Sequence, residues 1–265
     1  MEKQFAKDVD QGLSANPKYL LSKYFYDEKG DELFQKIMGL SEYYLTDCEF
    51  EILYKNKHKF LNIFQNSNTP FLLTELGAGD GLKTKILLRH FYEEKADFTY
   101  LPIDISENVL EILSSDLDNE MPGIRIKPYP GEYFQALDKL SKKESGRKVL
   151  LFLGSTIGNF TYDFAVNFLS GLNKRMNKAD QLIIGFDLKK DPATILRAYD
   201  DSSGVTAQFN LNLLQRINNE LDADFKLDNF YHYPVYNPLT GEAQSYLVSK
   251  ISQDVRIEKL NKNFE

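Results

Sequence analysis

The chain has 265 residues, 42% hydrophobic and 27% charged, with a net charge of −7. That balance excludes a disordered chain and argues against a nucleic-acid partner, whose phosphates need a basic face. No apolar run reaches the roughly 20 residues that a membrane helix requires, and the single cysteine, Cys48, excludes an internal disulfide framework.

The start, "MEKQFAKDVDQGL", places charges where a signal peptide would be apolar, so the cytoplasm is the expected compartment. The first seventy residues read as helical. "DEKGDELFQKIM" and "DCEFEILYKNKHKFLNIF" both space apolar residues by three and four, around a turn-like "GLSEYYLT". After Pro70, short apolar runs at 71–76, 98–104, 124–129, 148–153 and 181–187 alternate with helical stretches at 82–95, 107–117, 132–142 and 162–175. Alternation of this length predicts βαβ units and a parallel sheet covered on both faces. Ligands of such sheets bind at the carboxyl ends of the strands. A helical insertion, "DPATILRAYDDSSGVTAQFNLNLLQRINNEL", follows the fifth run. "FYHYPVY" and "AQSYLVSKISQDVRIEKL" then read as antiparallel strands at a sheet edge, joined by the turn "NPLTG". Three regions result: helical 1–69, a Rossmann-like core 70–188, and 189–265 with the insertion and the antiparallel strands.

The first strand runs into "LTELGAGDGLKTKIL". A dinucleotide fingerprint needs glycine at Leu82, and the P-loop spacing fails between Gly77 and Leu82. The pattern present is E-x-G-x-G-x-G, a form found in S-adenosylmethionine (SAM) methyltransferases and suited to a ligand without phosphates. Gly77 and Gly79 let the backbone approach the amino-acid end of the ligand, and the helix start meets its carboxylate; otherwise the glycines serve a sharp turn alone. Asp104 closes the second strand, placed either for both hydroxyls of a ribose or as a cap for the helix starting at Ser106. In "PYPGEYF", after the third run, Glu132 can accept from an adenine amino group while Tyr133 covers the ring. Three such elements past three successive strands point to SAM.

Four blocks, "SKYFYDEKGDELFQKIMGLSEYYLT", "LTELGAGDGLKT", "LFLGSTIGNF" and "LRAYDDSSGVTAQFN", resemble the histidine-specific SAM-dependent methyltransferases, from about residue 8 onward and in the same order. The best-known members trimethylate the α-amino group of L-histidine on the way to ergothioneine. The resemblance implies a Rossmann-like methyltransferase sheet, an enzyme, and a small amino-acid substrate. It implies a donor site of Gly77, Gly79, Lys83, Asp104, Glu132 and Tyr133. It also implies a substrate site of Tyr26, Phe34, Tyr43, Gly154, Asn159 and Tyr199, with Tyr43 and Asn159 orienting the amine and carboxylate. Read without the family, Tyr26 and Phe34 are equally core aromatics, Asn159 a strand-end cap, and Tyr199 with Asp200 and Asp201 a solvated helix end.

His58, His90 and His232 fit no metal spacing, and no metal is expected. Two departures from the family stand out. Glu132 replaces the usual Asp, which changes the reach toward adenine. Members also continue past "VRIEKLNKNFE" into a strand whose acid and hydroxyl residues grip imidazole. On that comparison the sequence is expected to be short at its carboxyl end. A monomer is expected, with association through an unpaired sheet edge as the other outcome. The alternatives are a methyltransferase for another amino acid or small amine, and a SAM-binding module without catalysis.

Overall fold

The computed structural model describes residues 2–65 and 69–265. They fall into two compact units, one of residues 1–44 with 188–265, the other of residues 45–187. In chain order, α1 (Glu2–Ser14) and α2 (Glu28–Met38) open the first unit, and α3 (Tyr44–Gln65) leads into the second. The second continues with β1 (Phe71–Leu76), α4 (Thr84–Glu93), β2 (Phe98–Asp104), α5 (Glu107–Glu120), β3 (Tyr129–Pro130), α6 (Tyr133–Lys143), β4 (Arg147–Phe152), α7 (Tyr162–Asn173) and β5 (Gln181–Ile184). The first resumes with α8 (Pro192–Ala198), α9 (Val205–Leu221), β6 (Phe230–Asn237), β7 (Glu242–Ser249), β8 (Val255–Ile257) and β9 (Lys262–Phe264).

The five strands of the second unit form one parallel sheet in the order β3-β2-β1-β4-β5. Every residue of β1 is buried, as expected of a strand with helices on both faces. The period of two sorts its side chains. Phe71 and Leu73 join Tyr100, Val149, Leu88, Phe91 and Leu113 on one face, while Leu72 and Leu76 join Ile103, Leu150, Phe152 and Leu137 on the other. Leu53, Leu61 and Phe64 of α3 are buried in the first of these cores, so α3 packs with the sheet and the compact unit begins at 45 rather than near 70. Removing one such side chain, as in Leu73→Ala, would cost about 2–5 kcal/mol.

The expected strand over 124–129 shrinks to Tyr129–Pro130 plus one bridge between Tyr100 and Ile126. Pro128 and Pro130 lack the N–H that a longer ladder requires, and β3 lies at the edge, where proline is tolerated. The fifth strand stops at Ile184, with the Gly185 N–H bonded to the Phe152 carbonyl at 2.9 Å.

In the first unit, β6 and β7 pair over eight residues and β8 pairs with β9, each pair a two-stranded sheet of its own. The expectation of strands along the edge of the large sheet is thereby corrected. Both pairs close on themselves, and the turn 237–241 sets the register of the longer one. The buried residues of α9, Leu213, Leu214, Ile217 and Leu221, meet Phe5, Val9, Phe225 and Ile257 in one core. The long insertion breaks into two helices because Asp201 ends the chain's path from α8 and starts α9. Its carboxylate accepts from the Val205 N–H at 2.9 Å and the Thr206 N–H at 2.7 Å.

Candidate active site

The sheet order reverses between β1 and β4, since the chain runs outward through β2 and β3 and then returns to the other side of β1. A crevice opens outside the carboxyl ends at such a switch point, the usual place for a ligand in a parallel sheet. The expected donor residues gather there. Gly77 has φ +74°, a bend that favours glycine, and a Cβ at this position would stand a tight 3.0 Å from the Tyr133 hydroxyl. Asp104 bridges two loops: its carboxylate accepts from the Gly79 N–H and from the Ser106 N–H, each at 3.0 Å. The cap of α5 is Ser106 itself, whose hydroxyl accepts from the Val109 N–H. Asp104 therefore ties the glycine bend to the start of α5.

Glu132 stands at the start of α6 with an exposed side chain that does not cap its own helix, which leaves its carboxylate for another donor. The Tyr133 ring packs against Phe152 and Phe168, with centroids 5.8 and 5.9 Å away, so it is anchored in the core and offers its hydroxyl end to the bend. Asn159 is exposed and closes the 3-10 turn Thr156–Asn159 that follows β4. It does not cap α7; Thr161 does, accepting from the Phe164 N–H.

Three further residues take part: Glu75, read from the sequence only as the acid of the E-x-G-x-G-x-G pattern, and Glu49 and Phe209, which were not singled out there. Glu75, the penultimate residue of β1, is buried and accepts from the Thr84 hydroxyl at 2.5 Å and from the Tyr100 hydroxyl. Burial pushes it up to about 7, against the two hydrogen bonds, which pull it down. It thus pins β1, β2 and the first turn of α4 around the bend. Glu49, on α3, accepts from the Gly154 N–H with both oxygens, at 2.9 and 3.0 Å, and pairs with the Lys83 ammonium at 2.6 Å. Its only sign in the sequence is its place within a helical spacing. Phe209 of α9 is the third and belongs to the other unit.

There, four of the expected substrate residues form one connected set of rings. Tyr26 meets Phe34 at 5.5 Å, Phe34 meets Tyr43 at 6.3 Å, and Tyr43 meets Tyr199 at 6.4 Å, all edge-on. Phe209 touches Tyr26 and Phe34 at 5.9 and 5.8 Å and sits at their centre. Tyr26 remains 42% exposed, so the set is not closed core. Its frame is rigid. Asp27 caps α2 through the Gly30 N–H and also accepts from Asn212 of α9 at 2.8 Å. Asp201 is buried; burial alone would raise it, yet hydrogen bonds from Ser203, Thr206 and Val205 hold its carboxyl well below the usual range. The reading of this segment as a solvated helix end is corrected for Asp201.

The histidines are not all scattered. His58 and His90 meet edge-on with centroids 4.2 Å apart, and Glu94 brings a carboxylate within 4.8 Å of their ring nitrogens. Burial depresses His90, and the neighbouring His58 and Lys57 depress it further. The carboxylates of Glu94 and Glu93 pull the other way. His232 stands apart from them, bonded to Ser245 at 3.0 Å.

A parallel sheet in this order, with a glycine bend after β1, an acid at the tip of β2 and another after β3, defines a SAM-dependent methyltransferase of Rossmann-like fold. Residues 5–265 match the family described as histidine-specific methyltransferase, SAM-dependent, and the chain belongs to that family. It is 38% identical to the histidine N-alpha-methyltransferase of Mycolicibacterium smegmatis over 96% of this chain and 78% of that one. It is 32% identical to the ergothioneine biosynthesis protein 1 of Schizosaccharomyces pombe over 87% of this chain and 31% of that one. Among solved structures, the plantazolicin methyltransferase BamL superposes with a TM-score of 0.41 at 11% identity, covering 91% of this chain and 82% of that one. No helix among the described residues is long and apolar enough to cross a membrane.

Proposed function

We propose that the protein transfers methyl groups from SAM to the α-amino group of L-histidine, ending at the trimethylated betaine. The observation that carries this reading is the 38% identity to a histidine N-alpha-methyltransferase along nearly the whole chain. The donor set fits SAM chemically: carboxylates for ribose and adenine, a bare bend for the close approach, and a lysine for the α-carboxylate. When bound, SAM would supply a methyl group on a sulfonium, whose carbon a neutral amine can take in line as the C–S bond breaks and the thioether S-adenosylhomocysteine leaves.

Asp104 holds the ribose hydroxyls and Glu132 the adenine amino group; Gly77, Gly79 and Lys83 receive the amino-acid end. Tyr133 sets the depth of the bend from beneath. The family resemblance gives the orienting of the amine to Tyr43 and Asn159; a phenol and an amide suit it, since neither adds positive charge beside a nitrogen that must keep its lone pair. The rings of Tyr26, Phe34 and Tyr199 exclude water and tolerate a product that ends as a quaternary ammonium. Most of the acceleration comes from positioning.

The test is SAM turnover with L-histidine, followed by mass spectrometry of the product. Gains of one, two and three methyl groups on histidine, absent without the amino acid, are expected. SAM consumption with a different amine and none with histidine would replace the substrate; SAM binding without turnover would leave a binding module.

A further inference from the structure

Glu49, Lys83, Gly154 and Gly185 form a charged clamp that the donor residues named so far do not explain. Lys83 follows β1, Gly154 follows β4 and Gly185 follows β5, so the three stand at the carboxyl ends of adjacent strands, where the sheet order reverses. Glu49 reaches this place from the first turns of α3. Its carboxylate accepts the Gly154 N–H with both oxygens and holds the Lys83 ammonium at 2.6 Å, with the two side chains only 13% and 19% exposed. Gly185 makes room for it: a Cβ there would lie 2.1 Å from a Glu49 oxygen and 3.5 Å from the Leu153 Cα. The bare backbone at Gly185 leaves room for the Glu49 carboxylate.

A carboxylate and an ammonium side by side are the complement of a zwitterion. The amino-acid end of SAM carries an α-carboxylate and an α-ammonium on one carbon. Lys83 answers the first, and no other donor residue answers the second. We infer that Glu49 is the acceptor for the α-ammonium of the methyl donor, and that the Glu49–Lys83 pair opens to exchange its internal partner for the two charges of the ligand. This rests on the SAM reading above and adds to it a residue that sets donor specificity. The exchange conserves charge pairing: one ion pair is broken and two are formed, so neither side chain is left buried and alone. Glu49 also keeps the Gly154 N–H satisfied, which holds the turn after β4 while the donor enters.

Calorimetric titration with S-adenosylhomocysteine and with its deamino analogue, 4-(adenosylthio)butanoate, tests this without any turnover. Wild-type protein is expected to bind the deamino compound about tenfold to a hundredfold more weakly, the range of one charge-assisted hydrogen bond. Glu49→Gln should lose a similar factor for S-adenosylhomocysteine. It should bind the deamino compound as well as wild type or better, because Lys83 no longer has to leave Glu49. Equal affinity of the wild type for the two compounds overturns the inference with no variant needed. So does a Glu49→Gln protein that weakens both compounds by the same factor, which would make Glu49 a strut for Lys83 only. In either case binding of S-adenosylhomocysteine by the wild type, with histidine-dependent turnover, leaves the proposed activity standing.

Discussion

Asp104 carries two duties, and replacing it with asparagine separates them. Its oxygens accept the Gly79 and Ser106 N–H groups, each at 3.0 Å. Asparagine keeps one acceptor and turns an amino group toward the other N–H, so one amide is left facing a donor. An unsatisfied buried or half-buried amide costs about 1–3 kcal/mol. In a chain of this size that lowers the thermal midpoint by a few degrees. The ribose loses more, because a charged acceptor becomes a neutral one. That loss is worth about 1.5–3 kcal/mol, roughly ten- to a hundredfold in the dissociation constant for S-adenosylhomocysteine. Asp104→Ala removes both acceptors and leaves the Gly79 and Ser106 N–H groups without them, so it should lower the thermal midpoint further than asparagine does and recover none of the affinity. Calorimetry at 25 °C, with thermal denaturation of the same samples, reads both. Wild-type affinity in a folded Asp104→Asn protein would refute the ribose role and leave the carboxylate as a tie between the glycine bend and α5.

Asn159→Ala should leave affinity for S-adenosylhomocysteine within about twofold and cut methyl transfer at least a hundredfold, as expected if positioning dominates; normal turnover would remove Asn159 from the substrate site. Phe209→Ala should deprive Tyr26 and Phe34 of their shared neighbour and destabilise the protein by about 3–5 kcal/mol; a denaturant midpoint near wild type would mean that the ring set is held by its frame. Lys148 and Asp180 form a buried pair at 3.0 Å, so Lys148→Met should cost about 3–5 kcal/mol by leaving Asp180 without its counter-charge, read by urea unfolding; a loss under 1 kcal/mol would show that the Lys148 and Asn177 N–H groups, which donate to Asp180, suffice. Glu75 titrates near 7 when folded, against an ordinary value of 4.5. Its folded form therefore holds a proton that the unfolded chain has released, and its contribution, complete below 4.5, is lost as pH rises through 7. Wild type should lose roughly 2–3 kcal/mol relative to Glu75→Gln between pH 5 and pH 8; a constant difference would mean that Thr84 and Tyr100 keep Glu75 ionised throughout.

Much of the large unit was legible because its signals are local. A strand buried on both faces must be apolar along its whole length, and β1 and β2 lie where the runs at 71–76 and 98–104 place them. Capping is equally local: Ser106 and Thr161 start their helices where side chains of that type should. Ends were less legible. The run 124–129 has the composition of a strand, but two prolines and an edge position reduce it to Tyr129–Pro130. The tail alternates as antiparallel strands do, and alternation states a pleat without naming the partner, so the separate sheets of β6–β7 and β8–β9 were beyond its reach.

The same division runs through the site. The glycine bend, Asp104 and the family blocks belong to short stretches whose chemistry is written in consecutive residues, since a bend, a strand tip and a cap each involve a few neighbours along the chain. The clamp is not of that kind. Glu49 lies 34 residues from Lys83 and 105 from Gly154, and in the sequence it is one more acid on a helix. Its place exists only because the order of the strands brings the ends of β1, β4 and β5 together, and because Gly185 has no Cβ to meet its carboxylate. Periodicity reports which face of an element is buried; which charged groups then meet across the chain is decided by packing alone.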